Sequence, residues 1–238
     1  MNTKKEFKTI GVLGGMGAAA SANFYQEIVK IAQEKYNATE DTDFPPMFIY
    51  NLPLSGFGET GFLDEEAVKN QLLEGVKKME IIGVDFIVIP CNTVHYFFNE
   101  MQQSIKIPII SILEVTAEAV QKSLYKKVGI LSSRSTKEYK LYENILNQKK
   151  VDTISSTEDE QKIVDKVIGS VIAGKQNMYD IALLQQIFFR FKKEGLESVI
   201  LGCTEIPLAI SQKDSDIPLL STISLLADSA LAYSFNKS

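Results

Sequence analysis

Short β-branched runs alternate with amphipathic helical segments along the whole chain, and this alternation limits the fold more than any other feature. The order is TIGVLGG, ANFYQEIVKIAQEKY, MFIYNLP, EEAVKNQLLEGVKKMEIIG and DFIVIPCN. It then repeats as KKVGILSS, TKEYKLYENILNQ, VDTIS, the helical pair EQKIVDKVIGSVIAG and MYDIALLQQIFFRFKKEG, and SVILGCTE. Strands that follow one another through a helix lie parallel, so the alternation predicts an α/β fold whose parallel sheet carries helices on both faces.

The repetition extends to residues. IGVLGG has a counterpart in VGILSS, with Gly129 lying 118 positions after Gly11. GVDFIVIPCNT matches GLESVILGCTE, with Cys203 lying 112 positions after Cys91, and IPIIS matches IPLLS, with Pro218 lying 110 after Pro108. Glycines and valines recur in any α/β chain, yet three ordered pairs at nearly one offset, close to half of 238 residues, point to duplication. Two open α/β halves, 1–112 and 113–220, are therefore expected to face each other across a pseudo-twofold axis, with a C-terminal helix over 221–238 packing back on the first. A mass of 26.5 kDa lets each half bury its own core.

Charge and hydropathy exclude several roles. The formal net charge is -5, and the 25 Lys and Arg form no basic stripe, so neither nucleic acid nor an anionic lipid surface is an expected partner. Apolar runs are strand-length, and MNTKKEFKTIGVLGG has no signal-peptide apolar core, so a soluble cytoplasmic protein outside the membrane is expected. There the two cysteines would remain thiols. Neither CxxC nor HExxH spacing occurs, and two cysteines alone make no zinc site, so no metal is expected.

The cysteines carry the chemistry. In an open parallel sheet, ligands bind beyond the carboxyl ends of the strands. Cys91 and Cys203 each follow a strand of one half, and pseudo-symmetry would direct them into a common cleft from opposite sides. Cysteine is also a common buried hydrophobe, but two at equivalent strand ends, each followed by small polar residues, favour function. Two sulfurs flanking one carbon suit stereoinversion: a thiolate removes a proton from one face and a thiol returns one to the other. Asn92, Thr93 and Thr204 begin the following helices, where side-chain donors and free N–H groups can hold a substrate carboxylate. Plain N-capping is the alternative use of those residues.

GVLGGMG (11–17), PCNTVH (90–95) and LGCTEIPL (201–208), in this order over nearly the whole chain, resemble the cofactor-independent aspartate/glutamate racemase family. The resemblance implies two flavodoxin-like domains with the active site between them, a homodimer, an amino-acid substrate, and neither pyridoxal phosphate nor a metal. It makes Cys91 and Cys203 the acid/base pair and has Asn92, Thr93 and Thr204 bind the α-carboxylate. Met16 would lie on the cleft floor and Glu205 would meet the substrate ammonium, while Ser133 and Thr136 match hydroxyl positions of the family. Asn51 and Pro53 match an Asn-Asp-Pro segment of aspartate-specific members.

The departures bear on substrate. Ala18 stands where the glycine turn usually continues with proline. Leu52 replaces the aspartate of Asn-Asp-Pro, no arginine follows before the next helix, and Ile172 stands where aspartate racemases can carry lysine. Unless Arg134 or Lys175 reaches in, a substrate's second carboxylate has no obvious cation, and a less acidic or broader substrate range is expected.

Other activities compete. Gly15-x-Gly17-x-x-Ala20 after a strand meets the dinucleotide fingerprint of an NAD-dependent dehydrogenase, but the second strand ends in YNLP with no acid for the ribose. Isomerases or decarboxylases of the same cysteine-pair superfamily, hydantoin racemases, and a non-catalytic binding protein are the remaining alternatives. His95, the only histidine, suits either tuning of Cys91 or a structural hydrogen bond. The aromatic groups HYFFNEM and IFFRF suit core or subunit packing.

Overall fold

The computed structural model describes residues 7–58 and 61–235. Its frame is two four-stranded parallel sheets. The first contains β1 (Ile10–Gly14), β2 (Met47–Asn51), β3 (Phe86–Val88) and β4 (Ile109–Ile110). The second contains β5 (Lys127–Ser132), β6 (Asp152–Ser155), β7 (Ser198–Gly202) and β8 (Leu219–Ser221). Their orders, β2-β1-β3-β4 and β6-β5-β7-β8, are the same.

The duplicated residues occupy equivalent ladder positions. Gly11 pairs with Ile87 and Ile87 with Ile109; in the other half Gly129 pairs with Val199 and Val199 with Leu219. Each partner is displaced by the same offset as the matching sequence motif. Both glycines are also required by close packing. A Cβ on Gly11 would lie 2.7 Å from Val84, and one on Gly129 would lie 2.7 Å from the Phe191 ring.

The helices of the first half are α1 (Ala18–Tyr36), α2 (Glu65–Ile82), α3 (Phe98–Gln103) and α4 (Ile112–Lys122). Those of the second are α5 (Arg134–Glu138), α6 (Leu141–Gln148), α7 (Glu158–Ile172), α8 (Met178–Lys193), α9 (Ile206–Ala209) and α10 (Thr222–Phe235). Their ends follow local chemistry. Asp64 caps α2 by accepting from Ala67 N, Gly83 closes it at φ 90°, and Thr157 and Glu160 form a capping box on α7.

Four apolar clusters cover the sheet faces. Phe24 and Ile28 of α1 meet Leu226 and Leu231 of α10 over one face of the first sheet; Leu72 and Val76 of α2 cover the other with Phe97 and Met101. On the second sheet, Val164 of α7 and Leu184 and Phe191 of α8 cover one face. Ala117 and Val120 of α4 join Tyr142 and Leu146 of α6 on the other. Thus α4 reaches the second sheet and α10 the first, and the two pack along each other. No helix among the described residues is long and apolar enough to cross a membrane.

Two segments depart from the expected pattern. TKEYKLYENILNQ, expected as one helix, is broken into α5 and α6 where Lys140 turns left-handed at φ 51°. Residues after Pro53, expected as loop, instead contain a short antiparallel pair, Phe57–Gly58 with Gly61–Phe62. Phe62 packs against Phe57, Phe97 and Tyr139, which carries this hairpin across to α5.

Candidate active site

In each sheet the chain leaves the first strand toward one edge and later fills the other, so loops diverge at the carboxyl ends of β1 and β3, and of β5 and β7. Such a switch point leaves a crevice between the diverging loops. Gly15 to Gly17 follow β1, Cys91 to Thr93 follow β3, Ser133 follows β5, and Cys203 to Glu205 follow β7; all four segments line one cavity of about 260 Å³. The duplication thus brings residues more than a hundred positions apart to a shared pocket.

Cys91 and Cys203 are both buried free thiols in that lining. Burial pushes the Cys91 thiol up to about 12 and Glu205 adds to the rise, while the N–H groups of Val94 and Thr93 oppose it. Burial likewise pushes Cys203 well above its ordinary value. The Glu205 carboxylate and the neighbouring Cys91 reinforce that rise, and the Glu205 N–H opposes it. Each sulfur therefore receives backbone donors from the residues after it, as the pseudo-symmetry requires.

The polar groups form three networks. Thr93 Oγ1 lies 3.0 Å from both Ser133 Oγ and Thr136 Oγ1, and Ser133 Oγ donates to Thr136 Oγ1 at 3.0 Å. This triangle of hydroxyls joins the two halves. Asn92 Oδ1 accepts a short hydrogen bond from buried Tyr142, and its Nδ2 donates to Thr222 Oγ1 at 3.4 Å. On the other side, Cys203 Sγ and Thr204 Oγ1 each donate to Glu205 Oε2 at 3.1 Å. Asn92 does not cap: the segment after it, Thr93–Phe97, is a 3-10 turn without a side-chain cap. Ser133 does cap, accepting from Thr136 N.

Eight of the ten residues singled out from sequence line the cavity: Met16, Cys91, Asn92, Thr93, Ser133, Cys203, Thr204 and Glu205. Thr136 is buried behind Thr93 and Ser133 rather than in the lining. Asn51 ends β2 exposed and outside it. His95 also lies outside; its Nδ1 bonds the Cys91 carbonyl at 2.8 Å and its Nε2 accepts from Ile112 N at 3.2 Å. Both ring nitrogens are spent on backbone, and burial lowers its pKa to about 4, so the ring is neutral and structural. Arg134 turns away: Nε and Nη2 donate to Asp165 Oδ2 and Nη1 to Glu158. Lys175 does not line the cavity.

Sequence inspection did not single out Leu54, Phe57, Asp165 or Ile168, which complete the wall with Ile172. Their signal was present only in part: Gly56, Gly58 and Gly61 flag the hairpin that carries Phe57. Ile168 and Ile172 are one turn apart on α7, a spacing indistinguishable from core packing. Among the described residues, no group of three or more His, Cys, Asp or Glu side chains could hold a metal ion.

The parallel α/β frame thus holds two strand-end cysteines over one pocket. The chain belongs to the Asp/Glu/Hydantoin racemase family, whose model matches residues 13–230. It is similar to the broad specificity amino-acid racemase RacX of Bacillus subtilis (strain 168), 27% identical over 223 residues, covering 94% of this chain and 96% of the relative. Among solved structures, an aspartate racemase homologue from Pyrococcus horikoshii OT3 superposes with a TM-score of 0.81 at 26% identity, covering 94% of this chain and 98% of that one. The aspartate racemase of Picrophilus torridus gives 0.82 at 27%, covering 94% and 93%. The glycine turn Gly15–Gly17, whose spacing also meets the dinucleotide fingerprint, lines the same pocket as the cysteines.

Proposed function

We propose that the chain is a cofactor-independent amino-acid racemase in which Cys91 and Cys203 transfer protons at opposite faces of the substrate α-carbon. The observation that carries this is the presence of both thiols in one cavity, each at the end of an equivalent strand. In one direction a thiolate takes the α-proton, and the C–H electron pair spreads onto the substrate carboxylate. The opposite thiol then gives its proton to the other face, which leaves the inverted enantiomer and the two sulfurs with exchanged protonation.

The α-carboxylate is assigned to Asn92, Thr93, Ser133 and Thr204 with the backbone donors of the strand-end turns, and Thr136 holds the hydroxyls in place. Glu205 faces the substrate ammonium. Its charge adds to the rise that burial imposes on both thiols, so a substrate ammonium beside it offsets that part of the rise and favours thiolate formation. The half-exposed Phe48 and Ile49 on edge strand β2 fit the expected homodimer, which sedimentation at varied concentration tests. Hydantoin racemisation is the second reading, because the matching family includes hydantoins.

Racemisation followed by chiral chromatography tests the function. Protein treated with hydroxylamine and chelator, then dialysed, is expected to convert single enantiomers of amino acids at an undiminished rate. Loss of activity on that treatment, or conversion of hydantoins alone, would contradict it.

A further inference from the structure

The cavity beyond the cysteines has a wall built from both halves. Leu54 and Phe57 enter from the hairpin side, and Ile168 and Ile172 from the last turns of α7. Ile168 is buried, whereas Ile172 is 51% exposed, at the cavity edge. Among the described residues, the lining contains no Lys, Arg or His.

Its charged groups beyond Glu205 are satisfied within the protein. Asp165 Oδ2 accepts from Arg134 Nε at 3.0 Å and Nη2 at 2.7 Å, and its Oδ1 accepts from Gln161 Nε2 at 2.8 Å. Arg134 spends its remaining Nη1 on Glu158 at 2.8 Å. A substrate carboxylate would have to displace Asp165 from a guanidinium that donates twice to its Oδ2, and a substrate cation would have to compete with that guanidinium for Asp165.

Resting on the racemase reading, we infer that this wall is the side-chain subsite and that it selects amino acids with apolar side chains over dicarboxylic and basic ones. An apolar side chain would pack there against Leu54, Phe57, Ile168 and Ile172, with Asp165 already paired to Arg134, whereas a second carboxylate would be desolvated without a free cationic partner. Ile168 and Ile172 are the specificity-determining residues on α7.

Initial rates of α-proton exchange in deuterated water, read by NMR over leucine, methionine, norleucine, aspartate, glutamate and lysine, test the inference. The apolar substrates are expected to exceed aspartate, glutamate and lysine at least tenfold in kcat/KM. Ile172→Lys is expected to shift the aspartate-to-leucine ratio about tenfold toward aspartate, and Ile172→Ser to lower leucine without raising aspartate. Preference of the unmodified enzyme for aspartate, glutamate or lysine, or an unchanged ratio in folded Ile172→Lys, overturns the inference while leaving racemisation intact. Exchange with none of the amino acids overturns both.

Discussion

A thiol buried beside a carboxylate is a weak acid, and both cysteines are in that position. In the free enzyme their neutral forms dominate near neutrality, so the thiolate needed for proton removal grows as pH rises. The rate constant kcat/KM is therefore expected to climb through pH 7 to 9, approaching tenfold per unit; a flat profile or a maximum below pH 7 would contradict the role given to them. His95 is shifted in the opposite direction. Its folded-state pKa is depressed from 6.5 to about 4, so its contribution to stability is complete above 6.5 and is lost as pH falls through that window. The loss amounts to about 3 kcal/mol. Urea midpoints measured from pH 7 to 4 should fall more steeply for the unmodified chain than for His95→Gln, and parallel curves would show that the ring is not held neutral.

At the scale of elements, the hairpin after β2 connects sequence to site most sensitively. Gly61 adopts φ 110°, and a Cβ there would lie 2.6 Å from Ser135 Oγ, on the cavity-lining turn of α5. Gly61→Ala should cost about 1–2 kcal/mol and lift Phe57 from the cavity wall, raising KM severalfold; an unchanged KM would remove the hairpin from the site. The strands of this element were not legible in the sequence, because two-residue strands leave no period to detect and only the glycines around them mark a turn. The break at Lys140 was equally hidden, since neither glycine nor proline marks it. The buried strands were legible, and so were the strand-end residues, because a cysteine followed by small polar groups occurs twice at matching positions. What stayed hidden was the wall: Phe57 and Ile168 are 111 positions apart and only tertiary structure joins them.

The duplicated halves are bound together by their last helices. Because α4 joins the core of the second sheet and α10 that of the first, neither half keeps its packing if the other opens. Chemical denaturation should accordingly give one transition, with far-ultraviolet circular dichroism and tyrosine fluorescence coincident, and separated midpoints would show independent halves. The near-constant offsets in sequence foretold the common strand order, and the ladder registers reproduce them residue for residue. That symmetry also brings both sulfurs into the lining of one pocket.

The most direct measurement is α-proton exchange in deuterated water with Cys91→Ala and Cys203→Ala, each offered both enantiomers of one accepted amino acid. The two-sulfur account predicts that both variants lose racemisation, and that any residual exchange is confined to one enantiomer in the first variant and to the other enantiomer in the second. Undiminished racemisation in either variant would contradict it.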